Sequence, residues 1–331
     1  MKYRNIALLA LLGVVVAAPL LPAPASAAGN GRLTLATWNA EWMMMPATFD
    51  KLAVHCLHHG ERAGGDDRTI YCDMIPHNRW SDADLARLRH FAARVDADVV
   101  AMQETDGPVI AARLFPGRNF CFTARRHVQN VGFAIRRGIP FTCNADYRQL
   151  GLANNDVRWG ADLTLYPGTP KQVRLLAVHL KSGCNRDLLT TDRIACHELQ
   201  EQAPVLEAWI DARAAAGQPF AVIGDFNRRF DIEPPKARDA QGNIIGLWPE
   251  IDDGEPAGLA LVDPDPGKDT TACRQQDPVR PAIDHILLGG GLARALVPGS
   301  YRMWTYPRGH HGRWPDHCIR SVRLDLNRLA H

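Results

Sequence analysis

Beyond its first 27 residues the sequence has no apolar run long enough to cross a bilayer, no Cys-x-x-Cys pair, no internal repeat, no low-complexity block and no linker. The first absence leaves no later segment that could span a bilayer as a helix. The second weakens a zinc site, because His58 and His59 beside Cys56 have no second cluster of matching spacing. The others leave one folded domain over residues 28–331. An excess of either charge is missing too: 38 Lys and Arg face 36 Asp and Glu. Loss of Lys2 and Arg4 with an N-terminal leader makes the two equal. No whole-molecule field then draws the chain to nucleic acid, and attraction to phosphate has to come from a local patch.

That leader is read from residues 1–27. Lys2 and Arg4 precede the apolar run Ile6 to Ala18, and Ala25, Ser26 and Ala27 supply the small residues of a signal-peptidase site. The run is short and broken by Pro19, Pro22 and Pro24, which fits a cleaved signal peptide better than an anchor. The mature chain is expected to begin near Ala28, without a membrane anchor, as a monomer in the periplasm or the medium. All eight cysteines, at 56, 72, 121, 143, 184, 196, 273 and 318, fall in the exported part. An even count in an oxidising compartment predicts disulfides. Short loops favour Cys56–Cys72, Cys121–Cys143 and Cys184–Cys196, and elimination leaves Cys273–Cys318.

Strand-length apolar runs recur at Leu33–Trp38, Val99–Met102, Gly132–Ile135, Ala161–Tyr166, Arg174–Leu180, Phe220–Ile223, Ile283–Leu288 and Ile319–Leu326. Helices are fewer. Ser81 with Asp84 three residues on predicts a capped helix through Leu85, Leu88, Phe91 and Val95. Pro108 opens another through Ile110 and Leu114. A third runs from Arg193 to Ala216, with a kink or break expected at Pro204. So many strands with so few helices argue for sheets packed face to face and covered outside by helices. Residues 43–80, rich in His, Cys, Gly and Asp, read as a long insertion, either an ordered surface loop or the border of a substrate site.

The segment "FAVIGDFN" begins as a strand suited to burial on both faces and ends in a carboxylate and a carboxamide, Asp225 and Asn227. Other strands repeat the pattern. Asn39 ends "LATWN", Glu104 ends "VVAMQE", His179 sits late in "LLAVHL", Asp284 opens "DHILL", and Asp316 and His317 introduce "CIRSVRL". Singly, each has a structural account as a turn cap, a solvated acid or a core histidine. Together they suggest one rim, where oxygen ligands without thiolates suit a hard cation such as Mg²⁺, Mn²⁺ or Ca²⁺. Imidazoles beside it suit proton transfer and water attack on a phosphate ester.

In order and spacing, "TWNAEW", "VVAMQE", "VHLKSG", "VIGDFN", "IDHIL" and "DHC" resemble the endonuclease/exonuclease/phosphatase superfamily with its deoxyribonuclease-I-like fold. The resemblance implies a four-layer α/β sandwich, two central mainly antiparallel β-sheets flanked by helices. It also implies a phosphoesterase that needs a divalent metal, Mg²⁺ or Mn²⁺, with Ca²⁺ as a structural or second ion. It makes Glu104 the principal metal ligand, helped by Asn39 and Asp316. His317 is the general base, held by Asp284; His179 binds a phosphate oxygen and stabilises the leaving group; Asp225 and Asn227 bind or orient the phosphate, the water or a second metal. Two departures stand out: Pro315 replaces the Ser that usually precedes the last motif, and no carboxylate is placed to orient His179.

For substrate contact the sequence offers Arg126 in the basic stretch "ARRH", Trp314 in "RGHHGRW", Arg158 just before a strand, and Lys181 in "VHLKSG". On one rim they would form a cationic groove with a stacking ring; scattered, they are surface charges. The substrate expected is extracellular or periplasmic DNA. The alternatives are a sphingomyelin-like lipid or a small phosphate ester, and a secreted binding module that has lost the chemistry.

Overall fold

Among the described residues eleven strands build two sheets. The structure is a computed structural model and describes residues 31–59, 72, 79–153, 157–233, 242, 245–265, 267, 272–274, 277–279, 281–308 and 312–330. The expected signal peptide, much of the 43–80 stretch, His310 and His311 lie outside these residues.

The six-stranded sheet has the order β10 (Arg302–Trp304), β11 (Ile319–Asp325), β1 (Arg32–Met43), β2 (Val99–Thr105), β4 (Asn130–Ile135) and β3 (Asn119–Phe122). The five-stranded sheet runs β5 (Phe141–Cys143), β6 (Ala161–Leu165), β7 (Val173–His179), β8 (Phe220–Asp225) and β9 (Asp284–Gly289). Each sheet has one parallel pair, β1 with β2 and β7 with β8; the other pairs are antiparallel.

Alternation along each strand sorts the apolar side chains into three layers. Leu33, Leu35, Val99, Ala101, Leu175, Ala221, Ile223 and Ile286 fill the space between the sheets. The outer face of the first sheet, with Trp38, Val100 and Met102, packs on α2 (Asp82–Val95) and α3 (Pro108–Leu114). The outer face of the second, with Leu176, Val222 and Leu287, packs on α4 (Ile194–Ala215) and α5 (Leu247–Ile251). Helix, sheet, sheet and helix make the four-layer sandwich that the sequence implied.

Local signals explain the boundaries. The Ser81 hydroxyl accepts the Asp84 N–H at 3.1 Å while the Asp84 carboxylate accepts the Ser81 N–H at 3.1 Å, so the expected capping box forms. Pro108 occupies the first turn of α3. Helix α4 continues through Pro204 without the break, with Pro204 exposed while Leu199, Leu206 and Ile210 bury the opposite face. One expectation fails. Residues 46–59, expected in an irregular insertion, form the helix α1 (Pro46–His59). The four cysteine pairs at disulfide distance are those expected, with Cα separations of 5.6, 5.7, 5.0 and 5.2 Å for Cys56–Cys72, Cys121–Cys143, Cys184–Cys196 and Cys273–Cys318. No helix of the described residues is long and apolar enough to cross a membrane.

Candidate active site

The topology sends six chain segments to one rim. Parallel β1 and β2 deliver Asn39 and Glu104 at their C-terminal ends, and parallel β7 and β8 deliver His179 and Asp225 at theirs. Strands β9 and β11 run antiparallel to these neighbours, so their starts bring Asp284 and His317 to the same end. Gly224 makes the β7–β8 approach possible: its φ is +153°, and a Cβ there would lie 2.0 Å from the Val178 carbonyl oxygen. Directly after it, Asp225 sits in register with His179.

Backbone strain gathers at this rim. Glu41, Trp42, Glu104 and Asn227 have φ of 51°, 52°, 55° and 52°, a left-handed conformation that costs a non-glycine residue roughly 1–2 kcal/mol. A hydrogen-bond net holds it. Asn39 donates through Nδ2 to Glu104 Oε1 at 3.1 Å and Asp225 Oδ2 at 2.9 Å. Glu104 Oε2 accepts the Trp42 N–H at 3.0 Å, and Asp225 Oδ1 accepts the Asn227 N–H at 2.7 Å. Asn227 donates its side-chain amide to the Leu180 carbonyl at 3.0 Å.

The two histidines stand in different settings. His317 Nδ1 meets Asp284 Oδ2 at 2.8 Å, and its Nε2 lies 3.9 Å from Asp225 Oδ2. The Tyr306 hydroxyl donates to the His317 carbonyl at 2.5 Å while accepting the Trp38 indole N–H at 3.0 Å, and Cys318, in the Cys273 disulfide, follows His317 directly. His179, only 3% exposed, points Nε2 at Glu104 Oε1 and Asp225 Oδ2, 3.6 and 3.5 Å away, and its buried Nδ1 has no hydrogen-bond partner. Among the described residues no carboxylate meets Nδ1 to orient His179 as Asp284 orients His317.

Burial sets the charge states. It pushes the Glu104 carboxyl up against the Asn39 hydrogen bond and the nearby His317. Burial and then the neighbouring Asp284 raise Asp225 to about 7. Burial, with Arg158 next, drives His179 well below the usual imidazole range, so it is neutral. For His317 burial acts downward, but Asp284, Asp225 and Asp316 outweigh it and hold the imidazole well above that range.

Two groups whose ligand atoms lie within 4.8 Å of one another could hold a metal ion: Glu104, His179 and Asp225, and Asp225, Asp284 and His317. The fit to a hard divalent cation rests on chemistry. Glu104 and Asp225 are buried acids driven up in pKa, their ion-pair partners are histidines, and no thiolate is near. Asp316 is exposed beside His317 and raises both Glu104 and His317 through its charge. Asn39, expected as a ligand, turns its amide nitrogen to the carboxylates, and its oxygen accepts the Glu41 N–H at 3.0 Å.

The expected substrate contacts fare differently. Trp314 is a correction. It is 7% exposed, stacked on Tyr306 at 4.8 Å and set edge-on to Phe91 at 5.7 Å, so its ring belongs to the core beneath α2 and offers no face to a base. Arg158 is buried and donates through Nε to the His179 carbonyl at 3.0 Å and through Nη2 to the Leu180 carbonyl, which makes it a brace for the His179 strand end. Lys181 pairs with Glu198 at 2.6 Å. Arg126 is exposed on the loop joining β3 and β4, while its neighbour Arg125 bears on the charge of His179. Tyr306, Arg228 and Arg186 escaped sequence reasoning. Tyr306 falls in no motif, and Arg228 and Arg186 carry no signal apart from lying near "GDFN" and "HLKSG".

The model of the endonuclease/exonuclease/phosphatase family matches residues 36–306, and no curated protein sequence matches the chain. Among solved structures, TDP2 from C. elegans is similar, with TM-score 0.54 and 13% identity over 89% of this chain and 75% of that one. So is the 3′ phosphatase NExo from Neisseria bound to a product DNA hairpin, with TM-score 0.54 and 15% identity over 88% and 99%. An AP endonuclease from Archaeoglobus fulgidus gives TM-score 0.52 and 13% identity over 88% and 99%. At these identities the likeness shows the fold. The match of the family over most of the chain, on a sandwich whose rim gathers its acidic and histidine motifs, places this protein in the endonuclease/exonuclease/phosphatase family.

Proposed function

We propose that the protein is an exported nuclease, a phosphodiesterase that requires Mg²⁺ or Mn²⁺ and hydrolyses DNA in the periplasm or the medium. One observation carries the reading: His317, fixed by Asp284 through Nδ1, turns Nε2 toward the rim that also holds Glu104, Asp225 and a neutral His179. Asp284 keeps the proton on Nδ1, so Nε2 is the atom that accepts a proton from the attacking water. Asp225 and Asn227 orient that water and the phosphate. His179, whose Nε2 faces carboxylates and therefore carries hydrogen, donates to a phosphate oxygen where charge develops. Glu104 and Asp316 would hold the cation, which when bound supplies positive charge against the phosphate oxygens and offsets the acids around His317. Asn39 holds Glu104 and Asp225 in place from behind.

Export is supported by the leader pattern at 1–27 and by the four cysteine pairs. DNA as substrate is supported by the similar NExo fold, which holds a DNA product. The test is hydrolysis of a panel by mature oxidised protein: bis(p-nitrophenyl) phosphate, p-nitrophenyl phosphate, sphingomyelin vesicles and duplex DNA, each with Mg²⁺ and with chelator. Chelator-sensitive turnover of the diester and of DNA is expected. Turnover confined to sphingomyelin or to the monoester would refute the nuclease reading.

A further inference from the structure

A cavity of about 410 Å³ opens beside the general base. His317, Asp284 and Asp316 line it together with Arg186 and Arg229, and Pro278, Val279 and Pro281 add apolar surface. Neither arginine belongs to the motifs that carry the family resemblance. They differ in commitment. Arg229 is paired with Asp231 at 2.6 Å. Arg186 is exposed and has no ion pair among the described residues.

The loop that carries Arg186 is unusually well fastened. The Cys184–Cys196 disulfide ties it to α4. The Arg228 guanidinium, 2% exposed, donates through Nη1 to the carbonyls of Cys184 at 2.6 Å and Asp187 at 2.5 Å, one on each side of Arg186. Glu233 holds the same guanidinium from behind, and Asn185 accepts the Arg229 N–H at 3.1 Å. The buried Arg228 charge is compensated by Glu233 and by these loop carbonyls, so moving the loop would strand a buried charge. Arg228 follows Asn227 directly, so the brace also fixes the loop relative to the rim.

We infer that Arg186 is a specificity residue that grips the phosphate next to the scissile one, with the adjoining sugar and base against Pro278, Val279 and Pro281. The inference rests on the phosphodiesterase reading above and adds that the site selects a polynucleotide over an isolated phosphate diester. With the loop backbone fixed on both sides, only the Arg186 side chain has to be ordered when its guanidinium binds a phosphate by charge-assisted hydrogen bonds. The chemistry at the scissile phosphorus does not use it.

Steady-state kinetics on two substrates tests this. For Arg186→Ala the KM for a duplex oligonucleotide is expected to rise roughly tenfold or more, with kcat within about twofold. The salt dependence of log KM should become shallower by about 0.9. On bis(p-nitrophenyl) phosphate, which has one phosphate, kcat/KM should stay within about twofold, and this second substrate also reports that the variant is folded. Arg186→Lys should recover part of the affinity for DNA. An unchanged KM for DNA overturns the inference, and so does an equal loss on both substrates. Wild-type protein that turns over the small diester but leaves DNA intact would instead refute the nuclease reading itself.

Discussion

Replacing Trp314 by alanine separates a substrate-stacking role from a core role, because the two predict opposite results. Stacked on Tyr306, edge-on to Phe91 and with the Arg87 guanidinium 5.1 Å from its ring, Trp314 is nearly all buried. A buried Trp removes about 150–250 Å² from water, worth roughly 4–6 kcal/mol at ~25 cal/mol/Å². Truncation to alanine in a core that partly relaxes costs about 3–5 kcal/mol. With an unfolding entropy near 2.1 cal/mol/K per residue, a domain of roughly 300 residues should lose about 5–8 °C in Tm. The assay is thermal unfolding of oxidised wild type, Trp314→Ala and Trp314→Phe, with the KM for duplex DNA measured well below the lower transition. A Tm loss for alanine, a smaller one for phenylalanine and an unchanged KM are expected. An unchanged Tm with a KM raised tenfold would refute the core assignment and restore the ring to the substrate.

Other residues give equally definite outcomes. Asp284→Asn keeps the shape but lets His317 take the wrong tautomer, so kcat on DNA should fall by about 10³–10⁴ with KM little changed; a fall below tenfold would show that Asp284 does not orient the base. Arg228→Ala should leave Glu233 buried without its partner and cost about 3–5 kcal/mol in urea unfolding; a loss under 1 kcal/mol would mean that the pair is not structural. Glu207 on α4, raised to about 8 by burial and then by Glu250, Asp253 and Asp211, binds its proton more tightly in the folded chain. Folding then gains most at acid pH and loses that gain as pH rises from about 4.5 to about 8. Glu207→Gln should flatten the decline of stability between pH 5 and pH 8, and an unaltered slope would contradict the assignment.

How much was legible beforehand differs by element. Central strands such as Val99–Met102 and Phe220–Ile223 announced themselves because both faces are buried, which leaves near-continuous apolar runs. The edge strand Phe141–Cys143 and the short Arg302–Trp304 bury less and give no such run. Helix α1 was hidden by a His- and Cys-rich composition that reads as irregular. In the site, the positions at strand ends were visible because the polar residues interrupt apolar runs. Side-chain direction was not. Trp314 lies near His317 in sequence yet packs under α2, and Asn39 presents nitrogen where oxygen was expected. Such orientations follow from tertiary neighbours such as Tyr306, which no local pattern connects to the catalytic motifs.

His317 is expected to activate water for attack on a DNA phosphodiester with help from a divalent cation. Nicking of supercoiled plasmid by purified, mature, disulfide-bonded protein tests it most directly, with wild type and His317→Ala compared in Mg²⁺ and in chelator. Wild type is expected to nick the plasmid in Mg²⁺ and to lose nearly all of that activity in chelator, and His317→Ala to show almost none. Nicking by His317→Ala at the wild-type rate, or by wild type in chelator, would contradict that expectation.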